Sequence, residues 1–232
     1  MSVSQTLQRK RVYLLRHAQV SYFDEAGRPL LPADVRLTQE GRRQAQASGR
    51  MLAEVPFDLA MSSGLPRTLE TARLVLGERT LPLLEESRLR EIRAGRLREV
   101  AKDRLESVIA YAYDHAGETD AGFIGGERWQ DFAERVLAAW NELALQRFEH
   151  LLVVAHDAVN RVILAHACGM GLNALKHFEQ DPACVNIIDL DIQDGQIQRV
   201  LIRTMGVTPY NLAKAGIQLT VMEAVHRGYR GD

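Results

Sequence analysis

Val12-Tyr13-Leu14-Leu15 is an unbroken apolar run, and Arg16-His17-Ala18 follows it with no spacer. A short run without polar alternation suits a strand buried on both faces, as in a parallel sheet covered by helices. The pattern returns at His150-Leu151-Leu152-Val153-Val154-Ala155, which ends in His156. A third run, Phe57-Asp58-Leu59-Ala60-Met61, leads into Ser62-Ser63-Gly64-Leu65-Pro66-Arg67. Open α/β sheets bind ligands beyond the carboxyl ends of their strands, so these three runs predict two imidazoles and two guanidiniums converging on one edge.

The segments between the strands read as helices. Thr38 is placed to cap a helix along which Gly41, Ala45, Ser48, Leu52 and Val55 recur at three- and four-residue steps, a small-residue stripe able to lie close to a sheet. Pro66 near a first helical position and Gly77 past the end bracket the next helix, with a serine before it available for capping. From Trp129 to Phe148 the positions Trp129, Phe132, Val136, Leu137, Trp140, Leu143 and Ala144 trace one face of a long amphipathic helix. Another is expected from Ala158 to Met170, closed by Gly169 or Gly171, and Val185 to Ile192 should pair with Gln196 to Thr204 around Asp194-Gly195. Leu105, Val108, Ile109 and Ala112 have helical spacing within a glycine-broken stretch, about 96–127, expected to be a cap insertion. The tail, about 205–232, is open between a docking helix around Leu212 to Val225 and an arm. Strand, turn and helix alternate with no repeat or linker, which predicts one domain over 1–232: a three-layer α/β/α fold with a mostly parallel central sheet.

Composition narrows the function classes. A chain of 232 residues with 46% hydrophobic and 25% charged residues can bury a sizeable core. The formal net charge of −1, without Lys/Arg blocks, argues against nucleic acid or an acidic membrane as partner. Cys168 and Cys184 fit neither a disulfide framework nor a zinc site. No apolar run approaches the roughly 20 residues that cross a bilayer, and Met1 to Arg11 lacks a signal-like apolar segment, so a cytoplasmic protein is expected. The tail is where a homodimer contact would be sought.

Two imidazoles and two guanidiniums in one hollow are costly to hold together without an anion, and phosphate matches guanidinium forks in geometry and charge. A neutral imidazole can attack phosphorus, giving a phosphohistidine, and phosphoryl transfer then mostly demands positioning and charge compensation. The leaving alkoxide needs a proton; Glu91, in Leu89-Arg90-Glu91-Ile92-Arg93-Ala94-Gly95, is the candidate acid on a connector. Such chemistry calls for no metal and no cofactor, and its partner is a small-molecule phosphate ester.

The order Arg16-His17-Ala18, Leu37-Thr38-x-x-Gly41-x-x-Gln44-Ala45, Ser62-Ser63-x-x-x-Arg67-Thr68-x-x-Thr71-Ala72, Glu91-x-x-x-Gly95 and Val153-Val154-Ala155-His156 resembles the histidine phosphatase superfamily, also called phosphoglycerate mutase-like, over about 11–203. The resemblance implies His17 as nucleophile, Arg16 and Arg67 as phosphate ligands, His156 as the second histidine that donates to phosphate oxygens, and Glu91 as acid and then base. It implies a phosphomonoesterase; a mutase-type transfer is the runner-up, and a catalytically weak phosphate-binding module the reading from another class.

The sequence departs from that pattern in three places. Val20 and Phe23 stand where the family has Thr and Asn, which leaves Ser21 or Tyr22 to supply the polar contact. Leu97-Arg98-Glu99 replaces the usual Trp-Glu-Gly, and Asp157-Ala158 replaces Gly-Gly after the second histidine. Asp157 is expected either to fix the His156 tautomer or to cap the following helix.

Overall fold

The computed structural model describes residues 7–22, 24, 30–96 and 100–230. Phe23 and Leu97-Arg98-Glu99 lie outside the described residues. One six-stranded sheet runs through the molecule in the order β3-β2-β4-β1-β5-β6, with β1 (Gln8–Arg16), β2 (Leu59–Ser62), β3 (Leu83–Glu85), β4 (His150–Ala155), β5 (Val185–Gln193) and β6 (Gln196–Val207). The first four are parallel, and β5 runs antiparallel to both β1 and β6. The register pairs Arg16 with Ala155 and Ser62 with Val154, so the three expected strand ends lie side by side.

Alternation along the central strands sorts their side chains into two layers. Val12, Leu14, Leu151, Val153 and Ala155 join the cluster built on α4 (Trp129–Leu145) and α5 (Asp157–Ala167). Tyr13, Leu15, Leu152 and Val154 join the cluster on the other face, with residues of α2 (Pro66–Leu76) and Leu52, which ends α1 (Gln39–Met51). The sheet is thus covered on both sides, as continuous apolar strands require. On α4, Trp129, Phe132, Val136, Trp140 and Leu143 are at most 2% exposed, and burying a large apolar side chain contributes about 1.5–3 kcal/mol.

Several boundaries differ from the sequence reading. Thr38 caps α1 by accepting the Gly41 N–H at 2.9 Å, but the helix stops at Met51, leaving Val55 outside it. The stripe also serves a different contact. A Cβ on Gly41 would lie 2.2 Å from the Gln19 carbonyl oxygen and one on Gly49 2.9 Å from that of Leu74, so the close approach is to the chain leaving β1 and to α2. No serine caps α2: Leu65 holds that place, while Ser62 Oγ accepts the Gly64 N–H.

Helix α4 ends at Leu145, where the Lys10 ammonium donates to the carbonyls of Ala144 and Gln146. Helix α5 begins at Asp157 and is closed by Gly169 in the left-handed region, with the Met170 N–H on the Ala165 carbonyl. The β5–β6 hairpin turns on Asp194 and Gly195, both with positive φ as a type I′ turn demands. Among the described residues of the stretch about 96–127, only Leu105–Ile109 is α-helical (α3). The tail first extends β6 to Val207 and then forms α6 (Val221–Arg230), so the expected helix around 212–225 is displaced toward the end of the chain.

Candidate active site

His17 leaves the end of β1 with its N–H on the Ala155 carbonyl of β4 at 3.0 Å. Its Nδ1 lies 2.8 Å from the Ala18 carbonyl, an acceptor, so Nδ1 carries the proton and Nε2 keeps its lone pair. Ala18 N in turn donates to Thr71 Oγ1 of α2 at 3.1 Å, tying the turn to the helix. Arg16 donates from Nη1 to the Gln180 carbonyl at 2.5 Å, and the buried amides of Gln180 and Asn186 brace that segment against the Leu14 carbonyl.

Arg67 sits in the first turn of α2, behind Pro66, with Nη1 on the Pro32 carbonyl at 2.6 Å and Nη2 3.3 Å from His156 Nδ1. His156 Nδ1 therefore accepts, and Nε2 donates to Ser63 Oγ at 2.7 Å. The Ser63 hydroxyl in turn donates to Thr68 Oγ1 at 3.0 Å, whose own hydroxyl donates to the Leu65 carbonyl. The two imidazole rings face each other at 5.2 Å between centroids, inclined by 67°. His17 is 3% exposed, His156 0%, Arg67 2% and Arg16 8%, and the Nε of both arginines has no hydrogen-bond partner.

Burial, with the positive charges of Arg67 and Arg16, holds His17 well below its ordinary pKa, so the ring is neutral at physiological pH. Burial and Arg67 do the same to His156. Glu91 lies on the connector after β3, where Oε1 accepts the Ile92 N–H at 3.1 Å and Oε2 the Ala158 N–H of α5 at 3.4 Å. Desolvation of its carboxyl, reinforced by the charge of Asp157, raises its pKa to about 7, against the pull of Arg16 and Arg67. The structure thus brings together all five sequence-predicted residues: Arg16, His17, Arg67, His156 and Glu91.

The family model described as "Histidine phosphatase superfamily (branch 1)" matches residues 12–203. The chain belongs to that superfamily. The adenosylcobalamin/alpha-ribazole phosphatase of Escherichia coli is 32% identical over 213 residues, covering 85% of this chain and 98% of the relative. The Arabidopsis thaliana protein named "Probable 2-carboxy-D-arabinitol-1-phosphatase" is 31% identical over 86% of this chain, which spans only 42% of that relative's length. The crystal structure of an Escherichia coli protein described as an alpha-ribazole-5′-P phosphatase superposes with a TM-score of 0.68 at 29% identity, covering 86% of this chain and 97% of that one.

As a histidine phosphatase the chain keeps the pocket but rebuilds its margins. Val20, where the sequence pattern has Thr, makes an isolated bridge with Leu37 and packs with Ala18, Ala45 and Ala183. Of the two stand-ins for the missing polar contact, Tyr22 is close enough to act on the ionisation of both Arg16 and Arg67. Asp157 follows neither expected role: it neither caps α5 nor bonds His156. Its Oδ1 instead accepts from Arg161 Nε at 2.6 Å, both side chains being buried.

Arg161 also donates to the Leu175 carbonyl and to Glu179 Oε2, with its guanidinium carbon 4.1 Å from the centre of the Tyr113 ring. Glu179 Oε1 takes the Val221 N–H that opens α6. Ser63 is the site residue the sequence reading missed; it stood inside the quoted motif but was given no role at the site.

Proposed function

We infer that the chain is a phosphomonoesterase that hydrolyses a small phosphate ester through a phosphohistidine at His17. The observation that carries this reading is the pair of buried rings at 5.2 Å, bordered by two guanidiniums whose Nε atoms are unpartnered. The Nε2 lone pair of His17 forms the N–P bond as the ester P–O bond breaks, and protonated Glu91 gives its proton to the leaving oxygen. Arg16 and Arg67 neutralise the equatorial oxygens throughout, helped by the first turn of α2. Water then attacks phosphorus while the Glu91 carboxylate takes its proton; the N–P bond breaks and neutral His17 returns.

A pKa of about 7 lets Glu91 serve in both directions near neutrality. Both nitrogens of His156 are engaged by Arg67 and Ser63, so its donation to a phosphate oxygen entails exchanging one of those partners. Side chains supply every proton and charge in this scheme, which needs no metal or cofactor. The segment about 96–127 serves as the cap of a single domain over 1–232. The relatives' names point to a polyhydroxylated substrate: alpha-ribazole phosphatase, and the glucosyl-3-phosphoglycerate phosphatase of Mycolicibacterium vanbaalenii, 30% identical over 69% of this chain. We read the enzyme as cytoplasmic; among the described residues no helix is long and apolar enough to cross a membrane. Sedimentation tests whether the tail supports a homodimer.

The deciding experiment incubates p-nitrophenyl phosphate with the enzyme and with His17→Ala, with chelator present. Release of inorganic phosphate by the wild type alone, with a phosphoryl adduct seen by mass spectrometry after alkaline quench, is the expected result. Turnover that survives His17→Ala removes the nucleophile assignment. Transfer to an added alcohol in preference to water would favour the mutase reading.

A further inference from the structure

The connector that carries Glu91 has no regular secondary structure from 91 to 96, yet its backbone is held at successive steps. Arg135, on α4, donates from Nη1 to the carbonyls of Arg88 at 2.6 Å and Arg90 at 2.9 Å, and from Nη2 to that of Glu91 itself at 3.3 Å. Its Nε and Nη2 also grip the Glu127 carboxylate at 2.8 and 3.0 Å. Glu127 Oε2 accepts the Arg93 N–H at 3.0 Å, and the Arg93 carbonyl accepts the Glu127 N–H at 2.8 Å. One guanidinium therefore fixes two carbonyls before the acid and the acid's own, and one carboxylate fixes the backbone beyond it.

The fit around this clamp leaves little slack. A Cβ on Gly95 would lie 2.3 Å from the Ile124 carbonyl oxygen, and one on Gly126 2.2 Å from that of Arg93. Ile124 holds φ 52° and ψ 42°, a left-handed conformation that a branched side chain adopts only when its surroundings enforce it. The Glu127 side chain is 4% exposed, although it lies in a loop. A lysine at 135 would keep the charge but not the planar fork that reaches three carbonyls and a carboxylate at once.

We propose that Arg135 and Glu127 are positioning residues for the proton transfers of Glu91, acting on its main chain from both sides. The inference rests on the reading of Glu91 as acid and base. The charged groups that face the Glu91 carboxyl are Asp157, Arg16 and Arg67; Arg135 and Glu127 act through the backbone. A misplaced acid slows departure of a poor leaving group and hardly affects one that leaves as a stable anion, whereas general loosening of the pocket slows both.

The test compares kcat/KM for β-glycerophosphate and p-nitrophenyl phosphate in Arg135→Lys, Glu127→Gln and Glu91→Gln, with folding checked by circular dichroism. Arg135→Lys and Glu127→Gln are expected to lose about 10- to 100-fold on β-glycerophosphate, mainly in kcat, and about threefold or less on p-nitrophenyl phosphate. Their loss on β-glycerophosphate should also depend on pH differently from the wild type. Should Arg135→Lys fail to fold, the milder Glu127→Gln decides. Equal losses on both esters, or none, with Glu91→Gln still selective, overturn the clamp alone. A Glu91→Gln enzyme that keeps β-glycerophosphate turnover overturns the reading of Glu91, and the clamp with it.

Discussion

Arginines are used in opposite ways at two places on this sheet. On the β1–β5–β6 side, Asp191 receives Arg9 and Arg199, and Asp189 receives Arg11 and Arg203, at 2.6–2.7 Å, with each guanidinium partly in solvent. At the other end of the same strand β1, Arg16 and Arg67 are buried, bond backbone carbonyls or an imidazole, and pair with no carboxylate among the described residues. The first arrangement satisfies its charges within the fold; the second leaves its positive charge uncompensated by carboxylates, at a cost in stability, and in the proposed mechanism that charge meets the substrate phosphate. On the proposed mechanism, identical side chains stabilise in one setting and bind phosphate in the other, according to whether a carboxylate stands opposite.

The contrast can be sharpened or broken by four measurements. His17→Ala should reduce turnover of any ester by at least about 10⁴-fold, as loss of a covalent nucleophile does, while leaving the melting temperature close to the wild type. Arg67→Ala should lower kcat/KM about 10²- to 10³-fold and leave the apo protein as stable as before or more so; stabilisation by added inorganic phosphate, read by thermal shift, should shrink. A pocket variant that melted markedly earlier would break the contrast.

Glu91→Gln comes next, with two pH signatures. For an alkyl ester, kcat/KM of the wild type should fall as pH rises through about 7, because the protonated acid disappears; in the variant that limb should be absent and the rate low. Because the folded pKa lies above the unfolded one near 4.5, ionised Glu91 opposes folding. The variant should therefore gain up to about 3 kcal/mol over the wild type at pH 8, and nothing below about pH 4.5. Smallest is Asp191→Asn, which should lower the melting temperature by on the order of 2–5 °C without altering kcat/KM. The hydrogen bond from Arg9 holds Asp191 down at about 2, so that loss should be full at neutral pH and fade as pH falls from about 4 toward 2.

Much of this was legible before any coordinates. The layers follow from strands such as Leu151 to Val154, whose odd and even residues are both apolar and so demand cover on both faces. The convergence of residues 16, 17, 67 and 156 follows from parallel strands ending on one edge. Contacts made by chance of packing were not legible. Asp157 looked like a cap because nothing in Asp157-Ala158-Val159-Asn160-Arg161 says that Arg161 turns inward. The role of Ser63 was hidden because its partner, His156, follows a different strand far along the chain. The placement of α6 was missed because Met222 and His226 are its only buried residues among those whose side chains are described, too faint a stripe to read.

Glu179 joins two distant matters. One of its oxygens holds Arg161, four residues along from the aspartate that adjoins His156, and the other holds the amide that starts the C-terminal helix. A polypeptide cut short before Val221 would keep every residue of the pocket and still release that tether. The last helix is thus linked, through Glu179, Arg161 and Asp157, to the residue beside His156.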